Sequence, residues 1–178
     1  MTIAIKPTAS GSTIEQNGST ILTVDGSGNI TPSNNLYPKV PAFSAYQSSS
    51  QTINNNTYTK ISFQTKEFDT TSDFDNTTNY RYTPSVEGYY QINANMSING
   101  GAVGETLAEL YKNGSIIKRT VGFYNANNTY AANVSCLVYM NGSTDYIELY
   151  GYQNSGSNKP TYNDSRFTWF QAHLVQQA

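Results

Sequence analysis

The segment Leu110-Tyr111-Lys112-Asn113-Gly114-Ser115-Ile116-Ile117 constrains this chain more than any other. Asn-Gly tolerates positive φ at both central positions of a two-residue turn, so the flanking apolar runs must pair as a β-hairpin. Asn141-Gly142-Ser143-Thr144 marks a second hairpin between two longer runs. From Pro41 onward, short stretches rich in β-branched and aromatic residues recur between Asn/Gly/Ser turns. The pattern predicts ten strands, at 42–46, 58–63, 67–69, 80–83, 88–98, 106–112, 115–123, 129–140, 145–153 and 167–175, and no helix. Composition agrees: 15 Tyr and 7 Phe stand in a chain where the usual helix formers are scarce, which favours strands. The expected class is all-β.

Residues 1–40 differ from the rest. Glycine, proline, serine and threonine dominate, with brief apolar alternations such as Ile21-Leu22-Thr23-Val24 and a lone Ile30. Asp25-Gly26 supplies turn residues for one small hairpin. The expectation is an extended N-terminal arm with a single hairpin over 1–40, ordered only against a neighbour, and a domain over 41–178.

Several function classes are disfavoured. Ten Lys and Arg against 12 Asp and Glu leave a net charge of −2, so no basic footprint for phosphate exists and nucleic acid is not an expected partner. No apolar run approaches the ~20 residues of a spanning helix, and Met1 to Pro7 lacks a signal peptide's hydrophobic stretch, so synthesis in a cytoplasm is expected without membrane insertion. One cysteine, Cys136, and one histidine, His173, make neither an internal disulfide nor a zinc set, and His173 lies in a strand-like run. Gly100 to Gly104 lacks the lysine and following helix of a phosphate loop. No enzyme activity and no cofactor are expected. Asp69, Asp73 and Asp75 form the one dense acidic cluster. They are weak calcium candidates, without the later bidentate glutamate of the well-defined loop motif.

Two strands carry unusual faces. Along 89–98 the alternate residues Tyr90, Ile92, Ala94, Met96 and Ile98 form a core face, opposite Tyr89, Gln91, Asn93 and Asn95. Likewise Val134, Cys136, Val138 and Met140 face inward, and Asn133, Ser135, Leu137 and Tyr139 outward. Water-facing strands collect Lys and Glu, whereas protein interfaces lose charge and gain tyrosine. These eight outward residues are therefore candidates for a protein–protein contact.

Five blocks resemble the globular head domain of the complement q subcomponent and tumour necrosis factor superfamily, in the family's order. They are Pro41-Ala42-Phe43-Ser44-Ala45-Tyr46, Phe68 through Asn79-Tyr80, Pro84-Ser85-Val86-Glu87-Gly88-Tyr89-Tyr90, Asp145-Tyr146-Ile147-Glu148-Leu149 and Phe167-Thr168-Trp169-Phe170. The resemblance covers about residues 41–176. It implies a ten-stranded jelly-roll sandwich forming a homotrimer, with the strands near Ala42, Gly88, Thr129 and Phe167 packed around the threefold axis. On that reading Trp169, Gln171 and His173 join the axial face, while Phe170, Ala172 and Leu174 fill the core. The fold does not dictate a task.

The arm supplies the rest of the functional expectation. Residues 17–31 resemble segments of bacteriophage fibre and head-decoration proteins. Collagen-like repeats are absent, and the short stretch ahead of the domain suits a docking arm better than a fibre shaft. The expected function is a trimeric capsid decoration, or cement, protein of the virion. It would bind the major capsid protein or other virion proteins through its arm, with Ile21, Leu22, Val24 and Ile30 as docking candidates. The alternative is the distal receptor-binding domain of a phage tail fibre recognising host-surface glycan, through the Tyr- and Asn-rich loop 154–164.

Overall fold

The computed structural model describes residues 3–33, 40–100, 104–124 and 130–178, and no helix occurs among them. Thr129, the expected start of one strand, and residues 101–103 of the glycine-rich stretch lie outside the described residues. The chain divides into two compact units, Met1–Val40 and Pro41–Ala178.

The first unit holds β1 (Ile3–Thr8), β2 (Gly11–Gln16), β3 (Ser19–Asp25) and β4 (Ile30–Pro32). They form one antiparallel sheet in chain order. Three hairpins therefore replace the single expected one. Of the two unanticipated turns, one joins Thr8 to Gly11 and the other is Asn17-Gly18, whose φ values of 49° and 82° are those of a tight two-residue turn. At the anticipated turn the mechanism differs from the expectation. The Asp25 carboxylate accepts from the Ser27 and Asn29 amides at 2.8 and 2.9 Å, and the left-handed residue is Gly28 rather than Gly26.

The second unit holds β5 (Ala42–Tyr46), β6 (Thr52–Ile53), β7 (Thr59–Lys60), β8 (Thr65–Asp69), β9 (Phe74–Asp75), β10 (Arg81–Tyr82), β11 (Glu87–Ile98), β12 (Gly104–Lys112), β13 (Ser115–Tyr124), β14 (Tyr130–Asn141), β15 (Ile147–Gln153), β16 (Lys159–Pro160) and β17 (Trp169–Gln177). One main sheet runs β14-β11-β17-β5-β8, the other β13-β12-β15-β10-β9 with β7 on β15, and β16 pairs with β6. This is a jelly-roll sandwich, and the four strands expected to share a sheet, β5, β11, β14 and β17, do so. Asn113 and Gly114 adopt φ of 51° and 78° between β12 and β13, as the Asn-Gly pair requires.

Between the sheets lies the core that alternation foretold. Tyr90, Ile92, Ala94, Met96 and Ile98 are all buried, as are Val134, Cys136, Met140, Phe170 and Ala172; Val138 and Leu174 pack against them half-buried. Phe43 is its aromatic hub. Its ring stacks on Phe74 at 4.5 Å, sits 4.5 Å from Tyr82, and meets Phe170 edge-on at 5.1 Å. The expected strand over 58–63 shrinks to Thr59–Lys60. Beyond it the Ser62 amide bonds to the Gln51 side chain at 3.0 Å instead of a neighbouring strand, although Ile61 and Phe63 stay buried. The two-residue strands β6, β9 and β16 are too short for any periodic signal.

Candidate assembly interface

Strand register brings the expected contact residues together on the outer face of the sheet containing β11. Directly paired residues share a face, and four rows result: Tyr139–Tyr89, then Leu137–Gln91–His173–Ala42, then Ser135–Asn93–Gln171–Ser44, then Asn133–Asn95–Trp169–Tyr46. None of the four contains Asp, Glu, Lys or Arg. Charges stand at the rim. Glu87 accepts a hydrogen bond from the Tyr139 hydroxyl, Lys112 donates to the Tyr139 carbonyl at 2.7 Å, and Glu67 accepts from Ser44 at 2.5 Å.

The face is partly wired and partly apolar. Gln91 Nε2 donates to Ser135 Oγ at 2.8 Å and to Asn93 Oδ1 at 3.1 Å, and Ser135 Oγ donates to Asn93 Oδ1 at 2.9 Å. Such a network orients amides without ionic cost. Beside it, Leu137 is 57% exposed and Tyr89 46%, and the Tyr89 and Tyr139 rings meet edge-on at 5.7 Å. A shallow depression of about 280 Å³ lies among Asn93, Asn133, Ser135, Trp169 and Gln171. Trp169 and Gln171 are half-buried, and His173 is exposed.

Asn95 departs from its outward expectation. It is only 4% exposed, because its Nδ2 donates to the Phe167 carbonyl and to Ser97 Oγ, where the chain enters β17. Exposed Val175 was missed: it sits at the β17 bulge opposite Tyr89/Tyr90 and continues the alternation through His173. Phe68, exposed and paired with Ser44, extends one row onto β8. Alternation on the last strand carried one residue further would have found Val175; Phe68 needed the register.

The remaining candidates lie elsewhere. Leu22, Val24 and Ile30 share one face of the first unit's sheet, since Val24 pairs Ile30 and Leu22 pairs Pro32; Ile21 is the extra residue of a bulge. Among the described residues no cluster of three His, Cys, Asp or Glu is placed to hold a metal. The three loop aspartates serve their own turns. Asp69 accepts from the Asp73 and Phe74 amides, Asp73 from Thr71 and Ser85, and Asp75 from the Thr77, Thr78 and Asn79 amides. Those amides, Thr78 foremost, hold the Asp75 carboxyl well below the usual carboxylate range. In the 154–164 loop, Tyr162 stacks on Phe167 at 4.6 Å and Asn163 donates to the Ser48 carbonyl at 3.2 Å. Those side chains are engaged by their own fold.

The other main sheet carries a polar cluster that the sequence did not single out. Glu109 is fully buried on β12, accepting from Arg119 Nε at 2.5 Å and from the Tyr111 hydroxyl at 3.0 Å. Burial first, then the bond to Glu109, pushes the Tyr111 phenol up to about 12.

With this geometry in hand, comparison places the fold. The globular domain of zebrafish complement 1qA superposes with a TM-score of 0.61 at 15% identity, covering 78% of this chain and 99% of that one. The Eiger tumour necrosis factor from S. frugiperda gives 0.60 at 5% identity over 79% and 96%. Murine APRIL gives 0.60 at 8% over 77% and 100%. No family model and no curated protein matches the sequence. The second unit therefore has the jelly-roll fold of complement 1q and tumour necrosis factor proteins.

Proposed function

We propose that the chain is a homotrimeric, non-enzymatic structural protein, assembled through the outer face of the β14-β11-β17-β5 sheet. More specifically, it is a bacteriophage head-decoration protein on the virion's outer surface, held to the major capsid protein by its first unit. The carrying observation is the four rows without an ionic group, which leave Leu137, Tyr89, Tyr139 and neighbouring Val175 exposed in a single subunit. Charge depletion with aromatic enrichment marks surfaces that another chain covers, and the resemblance to complement q heads supports setting this same sheet around a threefold axis. The virion assignment rests on the phage-like arm segment 17–31. Three anchors on one trimer would raise avidity by ~10²–10⁴ over one.

The test has two arms. Sedimentation equilibrium of the full chain should give three times the 19.6 kDa subunit mass. A stable single subunit at micromolar concentration refutes the assembly reading. Mixing the trimer with emptied phage shells should produce co-sedimentation, whereas binding on a glycan array without binding to shells would transfer the assignment to a tail-fibre tip.

A further inference from the structure

Not one described residue of the first unit is buried, although its sheet has four strands and a distinctly apolar side. Register defines that side. Ile5 pairs Ile14, Ile14 pairs Leu22, and Leu22 pairs Pro32, while Val24 pairs Ile30 in the next row on the same face. Ile5 and Ile30, on the two edge strands, are 71% and 64% exposed. The opposite face collects the charge: Lys6 and Glu15 form an ion pair at 2.5 Å there, and Asp25 alternates onto it after Val24. A sheet with one apolar face requires a second layer to exclude water from it. Among its described residues the first unit contains no such layer.

We infer that the missing layer is the same sheet from two other copies of the chain. Three first units set their apolar faces together, so that Ile5, Ile14, Leu22, Val24 and Ile30 of each subunit enclose a dry three-sided prism. This rests on the trimeric reading of the second unit and extends it to residues 1–40. Three physical arguments favour sister copies over the shell as the occupant. The faces that would meet bear no ionic group, so threefold repetition brings no like charges together, whereas the polar faces would place Lys6 on Lys6. In addition, the connection from Pro32 of β4 to Ala42 of β5 is short. That tether spans at most about 35 Å and holds sister sheets at about millimolar effective concentration. Finally, each sheet is a meander whose edge strands β1 and β4 pair with no further strand among the described residues, and packing face to face covers the apolar side without competing for those edges. Leu22, Val24 and Ile30 thereby become contacts between subunits, and the outward face with Lys6, Thr13, Glu15 and Thr23 is left to meet the shell.

Crosslinking in the full-length protein tests this. In a Cys136→Ser background, Leu22→Cys and Thr23→Cys lie on opposite faces of β3. A short bis-maleimide should join Leu22→Cys chains into dimers and trimers on a denaturing gel, and Thr23→Cys should stay monomeric. A trimeric particle whose Leu22→Cys chains do not crosslink overturns the prism and leaves the domain trimer standing. Absence of the trimer from unmodified protein overturns both. Rapid labelling of Leu22→Cys by a soluble maleimide, suppressed only by adding emptied shells, overturns the prism in favour of direct docking. An Ile14→Asp, Leu22→Asp variant gives an independent readout: the prism predicts loss of protease resistance within residues 1–33 at unchanged mass, and unchanged resistance refutes it.

Discussion

Replacing Leu137 probes the assembly face with little effect on the subunit. Leu137 is 57% exposed and points away from the core, so its truncation leaves the sandwich intact. Full burial of a leucine is worth about 1.5–3 kcal/mol; the portion still exposed scales this to about 1–1.7 kcal/mol per copy on assembly. Three copies make about 3–5 kcal/mol per trimer. Leu137→Ala should therefore weaken the trimer dissociation constant by about 10²–10⁴. Leu137→Lys should abolish assembly, because the rows around it offer no counter-charge to a desolvated ammonium. Sedimentation equilibrium over a wide concentration range measures the first effect, and circular dichroism melting under dissociating conditions checks that the subunit still folds. A Leu137→Lys protein that remains trimeric would refute the reasoning, since a buried, unpaired charge repeated three times has no compensating partner on this face.

Glu109→Ala should cost about 1.5–3 kcal/mol in chemical denaturation, the value of charge-assisted hydrogen bonds lost from Arg119 and Tyr111; Arg119 is half-exposed and turns to water, which keeps the loss within that range. Burial pushes Tyr90 up to about 12, and Tyr111 likewise, so both are neutral in the fold at pH values where the unfolded chain ionises near 10. The stability they contribute is complete below pH 10 and is lost as pH rises from about 10 to about 12; absorbance titration should show these phenols ionising together with unfolding, and free ionisation at pH 10 in folded protein would contradict it. Calcium should leave the melting temperature unchanged, because Asp69, Asp73 and Asp75 already receive donors from their own loops; a rise on adding calcium, reversed by chelation, would count against that.

Alternation is a local property, and the residues that depend on it were legible in the sequence. The core faces of β11 and β14, the hairpin at Asn113-Gly114, and the exposed Leu137 and Tyr89 all follow from a period of two and the turn chemistry of single residues. What depends on a distant partner was not. The expected hairpin at Asn141-Gly142 does not form: the turn carries the chain from β14 to β15 in the opposite sheet, with the Asn141 side chain accepting from the Ser143, Thr144 and Asp145 amides, because turn chemistry alone does not say whether the next strand returns beside the last. Asn95 has the alternation of an outward residue, yet the Phe167 carbonyl, 72 residues away, covers it. Thr59–Lys60 stays short because Gln51 claims the Ser62 amide, and β6, β9 and β16 exist only through the strands they meet. Asp75 looks like a cation ligand until its loop closes and turns three amides onto it. In the first unit the apolar residues were visible but read as scattered along an arm. Only the meander, closed by Asn17-Gly18 and by the Asp25 carboxylate, aligns Ile5, Ile14 and Leu22 across three strands into one surface. Periodicity assigns each side chain to one side of its own strand; tertiary register alone decides which side chains from different strands share that side, and a surface for another molecule is made of several strands at once.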